Sequence, residues 1–152
     1  FETPNINDEL TLGEAKITVL YVGEDSSNLN NTSIVLKLVY KDVSFLFMGD
    51  AESDVETKLL NTDLKSNILK VGHHGSSTSS SDKFISKVSP TYAIISVGKN
   101  NSYKHPTKKT LNTLNKYEIK TLRTDELGTI IFTSDGTSVN YENVSTNIDG
   151  GN

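Results

Sequence analysis

Two neighbouring segments constrain this chain most: residues 33–40 (SIVLKLVY) and 43–48 (VSFLFM), separated only by Lys41-Asp42. Both are rich in residues that favour strands, and a two-residue link favours an antiparallel hairpin. In the first, Ile34, Leu36, Leu38 and Tyr40 share one face, with Val35 and Val39 opposite. The second is almost wholly apolar. Strands that are apolar on both faces belong in a sheet covered on both sides. The fold must therefore supply two covering layers, or leave one to another chain.

The rest of the sequence offers few helices for that task. Residues 1–12 read as an irregular lead-in, 15–22 as a strand and 23–33 as a polar loop. Ser53 and Glu56 have the spacing of a capping box, with Val55, Leu59 and Leu60 as the apolar stripe of the helix behind it. Strands are expected at 67–71 and 91–97, with a serine-threonine loop at 76–81 and a short helix around Phe84, Ile85 and Val88 between them. A second polar loop covers 98–106, and Pro106-Thr107 opens a helix carrying Leu111, Leu114 and Tyr117. A strand at 118–123, a turn at Asp125–Gly128 and strands at 128–133 and 137–141 follow. This predicts an α/β (α+β) domain over 1–142, one mixed β-sheet with helices mainly on one face, and a disordered tail over 143–152.

Composition narrows the class. At 152 residues, one core is expected. The formal charge of −4 argues against a protein coated in basic charge for nucleic acid, although a local phosphate contact is compatible with Lys104, Lys108 and Lys109. With no cysteine, thiolate metal sites and disulfides are excluded. No run of 18 apolar residues occurs, so direct membrane insertion by this segment is not expected. The chain opens on Phe1 rather than Met, which points to a piece of a longer protein.

All three histidines fall in loops that follow apolar strands: His73 and His74 after 67–71, and His105 after 91–97. Asp50 follows 43–48. If those strands run parallel, the four residues meet at the carboxyl edge of the sheet, where ligand sites gather. Imidazole and carboxylate together suit Zn²⁺, Mn²⁺ or Fe. Each residue also has a plainer reading: Asp50 as a helix N-cap, the His-His pair as a polar turn, His105 as an ordinary loop residue, and the serines as a flexible linker.

Four segments then show a resemblance. NTSIVLKLVYKDVSFLFMGDAE (31–52), LKVGHHGSS (69–77), SVGKNNSYKHP (96–106) and RTDELG (123–128) resemble, in this order, motifs of metallo-β-lactamase-fold domains of the ComEC competence type. The resemblance implies an αββα sandwich and a metal-dependent hydrolase, phosphodiesterase- or nuclease-like and linked to DNA uptake. It implies Asp50 and His105 as ligands of Zn²⁺ or Mn²⁺, with two metals in a complete domain. His73, His74 and Asp50 are then catalytic, and Ser76, Asn101 and Tyr103 contact substrate. Arg123, Thr124 and Asp125 read as a brace. The competence type implies a soluble domain of a bacterial membrane protein; free-standing members are secreted or cytoplasmic.

The departure is as informative. The superfamily's HxHxDH motif is absent, and no histidine precedes His73. The chain therefore corresponds to the C-terminal half of such a domain, whose N-terminal half is the implied partner. The isolated piece is expected to bind metal weakly and to be inactive. Alternatives are a non-catalytic binding or assembly domain that self-associates through the uncovered sheet face, and a metallohydrolase of a non-nucleic ester.

Overall fold

A computed structural model describes residues 3–24 and 27–144. Its centre is a seven-stranded mixed sheet whose strands lie side by side in chain order. These are β1 (Glu9–Leu12), β2 (Ala15–Val22), β3 (Ile34–Tyr40), β4 (Val43–Phe47), β5 (Ile68–Lys70), β6 (Tyr92–Ile95) and β7 (Lys120–Arg123). Neighbours from β1 to β4 are antiparallel, and those from β4 to β7 are parallel. The change follows from the connections. The Lys41-Asp42 turn can only reverse the chain, whereas α1 (Ser53–Leu59), α2 (Asp82–Val88) and α3 (Lys108–Lys116) carry it back for parallel pairing.

The three helices cover one face. Val55 and Leu59 of α1, Phe84, Ile85 and Val88 of α2 and Leu114 of α3 bury against Val35, Leu46, Met48, Leu69, Val71, Ala93 and Ile95. Lys37 shares that face by register and is buried, but its ammonium reaches Asp63 Oδ2 at 2.7 Å and the Asp63 carbonyl at 3.1 Å. A buried cation is tolerable when paired in this way.

The other face differs from expectation. Residues 129–144 do not extend the main sheet. They form a separate antiparallel pair, β8 (Thr129–Ser134) and β9 (Val139–Val144), laid over the second face. Phe132 meets Phe45 edge-on with centroids 6.1 Å apart, and Tyr92 at 5.5 Å; Tyr141 meets Tyr92 at 5.7 Å. The hairpin tip is tied to the β3–β4 turn by Asp42 N donating to the Gly136 carbonyl at 2.8 Å. The chain thus supplies part of its own second layer. Beyond the hairpin, Leu10, Leu12, Ile34 and Phe47 stay exposed on this same face, Leu12 at 68%.

Three local expectations need correction. The lead-in contains β1, whose backbone pairs with β2 although all four of its side chains are exposed. Residues expected as a turn at Asp125–Gly128 include a one-turn helix, α4 (Thr124–Leu127). The Ser53–Glu56 capping box is not formed. Glu52 occupies the N-cap of α1, and Glu56 is buried, accepting the backbone N–H groups of Ser80 and Ser81. It satisfies orphan donors at the start of α2 instead of its own helix. β9 runs two residues past 142, and the rest of the expected tail, 145–152, lies outside the described residues. Among the described residues no helix is long and apolar enough to cross a membrane.

Candidate functional site

Because β4, β5 and β6 run parallel, the loops that follow them emerge at one edge of the sheet. The first carries Gly49-Asp50-Ala51-Glu52, the second Gly72-His73-His74-Gly75, and the third Asn101 to His105. His73 N donates to the Gly49 carbonyl at 3.1 Å, which locks the first two loops together. Thr107 N donates to the Gly75 carbonyl at 2.9 Å, which locks the second to the third. Gly75 is needed here. It has φ +81°, and a Cβ on it would lie 2.7 Å from the Pro106 Cβ.

His73 and His74 both take left-handed backbone conformations, with φ of 46° and 51°. Such residues cost about 1–3 kcal/mol each and persist where their surroundings over-determine them. The surroundings are specific. His74 Nδ1 lies 2.6 Å from the Ser96 carbonyl oxygen, and its Nε2 lies 3.4 Å from Asp50 Oδ1. A carbonyl oxygen only accepts, so Nδ1 carries the hydrogen. When the ring is neutral, Nε2 therefore turns a lone pair toward a carboxylate. Two acceptors in that relation call for a shared proton or cation.

His73 is held by a carboxylate that sequence reasoning missed. Glu52 Oε1 lies 3.1 Å from His73 Nδ1 and accepts from Thr78 Oγ1 at 2.9 Å and Asn30 Nδ2 at 3.0 Å. Its Oε2 accepts from Asn28 Nδ2 at 2.8 Å. Desolvation opposes ionisation of Glu52, but the donors of Asn28, Thr78 and Asn30, with the charge of His73, hold it below the usual glutamate range. Glu52 stands beside Asp50 in the GDAE run, yet no local pattern announces partners more than twenty residues away in both directions.

His105 packs edge-on against His73, with centroids 5.6 Å apart, and its Nδ1 is buried with no hydrogen-bond partner among the described residues. Burial, then the charges of His73 and His74, lower its pKa, so the ring is neutral at physiological pH. Asn101 builds its loop. The Asn101 Nδ2 donates to the carbonyls of His105 at 2.7 Å and Gly98 at 3.1 Å, and His105 N donates to Asn101 Oδ1 at 2.9 Å. Tyr103 stacks on His105 at 5.8 Å and 24°, while remaining 79% exposed. Ser76 is buried, with its hydroxyl 3.0 Å from Thr78 Oγ1. The 76–81 run is thus no loose linker: Ser79 and Ser80 are buried too, and Ser79 Oγ donates to the Gly72 carbonyl at 2.8 Å.

The RTD segment braces the third loop from below. Thr124 Oγ1 accepts from Val97 N and donates to the Val97 carbonyl, at 2.8 and 2.9 Å. Arg123 forks onto Asp125 at 3.0 and 2.6 Å. Lys70, half-buried, donates to the Val71 carbonyl at 2.9 Å. Burial lowers its pKa, partly countered by Asp50.

The donor set fits a metal ion in part. The 3.4 Å between Asp50 Oδ1 and His74 Nε2 is close to the roughly 3.3 Å expected between two ligands of a tetrahedral Zn²⁺ ion. Among the described residues no group of three or more His, Asp or Glu side chains gathers in ligand geometry. Two carboxylate–imidazole pairs stand at ligand spacing, Asp50 with His74 at 3.4 Å and Glu52 with His73 at 3.1 Å.

No family model matches the chain. It is 44% identical over 108 residues to ComE operon protein 3 of Bacillus subtilis (strain 168), a match covering 70% of this chain. It is 42% identical over 106 residues to competence protein ComA of Neisseria gonorrhoeae, covering 68% of the chain. This chain is related to competence proteins. Recombination protein 2 of Haemophilus influenzae is 39% identical over 89 residues, or 59% of the chain. These matches span only 14%, 15% and 11% of the respective relatives' own lengths.

Proposed function

We propose that this chain is the C-terminal half of a metal-dependent hydrolase domain of the metallo-β-lactamase type, acting on phosphodiesters in DNA uptake. The observation that carries the reading is the Asp50–His74 pair, with donor atoms 3.4 Å apart on loops that leave parallel strands at one sheet edge. The name of one relative, competence protein ComA, links that protein to competence, which supports the DNA-uptake assignment.

Within this reading, Asp50 and His74 hold a Zn²⁺ or Mn²⁺ ion, and His105, with its unpartnered buried Nδ1, stands ready as a further donor. A divalent ion at this position supplies Lewis acidity toward a phosphoryl oxygen. His73, with Nδ1 turned to Glu52, would use its other ring nitrogen to take or give a proton. The remaining ligands come from the N-terminal half of the domain, so this chain alone is inactive. The longer protein is expected to cleave DNA with Mn²⁺ or Zn²⁺, and Asp50→Ala is expected to reduce the rate at least a hundredfold. Unchanged metal-dependent turnover in Asp50→Ala would remove the basis of the reading.

One observation favours a second reading. The exposed Leu10, Leu12, Ile34 and Phe47 share one sheet face, as an assembly surface would. On that reading the chain binds a partner or its own copy without catalysis.

A further inference from the structure

The segment 98–109 (GKNNSYKHPTKK) is unlike the rest of the chain: it holds Lys99, Lys104, Lys108 and Lys109 and no acidic residue, in a protein of net charge −4. All four lysines are exposed. Lys109 Nζ reaches the Ser77 carbonyl at 2.7 Å, which keeps one positive charge beside the second site loop. The same segment carries Tyr103. One face of its ring is stacked on His105, and the residue is otherwise the most exposed aromatic among the described residues, at 79%. His105 in turn touches His73. The three rings form a short train from solvent to the site.

The train is preorganised. Asn101 makes three side-chain hydrogen bonds within the loop, and Lys104 N donates to the Asn101 carbonyl at 3.2 Å. A loop fixed in advance loses little entropy on binding. An exposed aromatic ring stacked on an imidazole, in a loop segment rich in exposed lysines, matches how proteins hold an unpaired strand: bases stack on the ring and phosphates meet the cations.

We propose that 98–109 is a lip for single-stranded nucleic acid, in which Tyr103 stacks one base and the lysines neutralise the flanking phosphates. The proposal rests on the phosphodiester reading above and assigns the substrate's entry side to this loop. The test is anisotropy of a labelled oligothymidylate and of an abasic strand of equal length, with chelator present so that nothing is cleaved. The chain is expected to bind the thymidylate about tenfold more tightly than the abasic strand, the contribution of one stacked base. Tyr103→Ala removes that preference while leaving abasic binding unchanged, and Tyr103→Phe retains it. Replacing Lys99, Lys104 and Lys108 by alanine flattens the salt dependence by about 0.7 in slope per lysine. Equal affinity of the unmodified chain for both strands, or an equal loss on both in Tyr103→Ala, overturns the stacking role. Absence of any binding overturns the lip altogether. Because no step is catalytic, these outcomes are separate from the Asp50→Ala cleavage assay on the longer protein: unchanged cleavage in that variant, beside base-selective binding by the chain, would reject the hydrolase and keep the lip.

Discussion

Glu56 shows how one buried side chain can hold a site it never touches. Its two carboxylate oxygens accept the Ser80 and Ser81 N–H groups and so fasten the end of the serine-rich loop to α1. Burial opposes ionisation of Glu56 and outweighs the Ser80 and Ser81 donors and the charge of Lys109, so its pKa is raised above its ordinary value. The sign follows from linkage. Between the unfolded and the raised folded pKa the native state binds more protons, so stability from this group falls as pH rises above about 4.5. Glu56→Gln, which keeps an acceptor but cannot titrate, is expected to remove that part of the pH dependence. Urea denaturation of both forms at several pH values between 4.5 and 8 would show it, and an unchanged difference between them across the range would contradict it. The residue's role was not legible beforehand because Ser53 and Glu56 fit a local capping pattern, and a tertiary contact 24 residues away overrode it. Glu52 was missed for the same physical reason. By contrast, Asp50, His73, His74 and His105 were legible as candidates, since each follows an apolar strand.

At the scale of elements, sheet and helices were legible from periodicity and the two-residue turn, and the parallel order of β4, β5 and β6 makes the sheet edge a common exit for three loops. What periodicity lacked was the layer of the last two strands. Alternation in β8 marks Ile130 and Phe132 as inward, but a strand's inward face is the same whether it extends a sheet or lies over one. β1 was invisible because ELTL buries nothing and is held by backbone pairing alone. The hairpin covers Phe45 and Tyr92 and stops short of the β1 end, which leaves Leu10, Leu12, Ile34 and Phe47 open. Such a face favours association. Sedimentation velocity is expected to show mass rising with concentration, with Leu12→Lys shifting the chain toward monomer. A concentration-independent monomer would argue that the face needs no cover.

Across the whole molecule, one half of the account is architecture and the other is a site. The mixed sheet, with helices on one face and a short hairpin on the other, presents a bundle of loops at its carboxyl edge. Strain at His73 and His74 is held there by Glu52, Ser96, Gly75 and the brace at Thr124. That arrangement has a purpose if Asp50 and His74 share a cation. Titrating Mn²⁺ into the isotopically labelled chain and following side-chain resonances tests this most directly, because the ion broadens nuclei near it whether or not catalysis occurs. The account predicts that His74 and Asp50 broaden first and that Asp50→Ala abolishes the effect at His74. Broadening confined to exposed carboxylates such as Asp54 and Asp135, with His74 untouched, would contradict it.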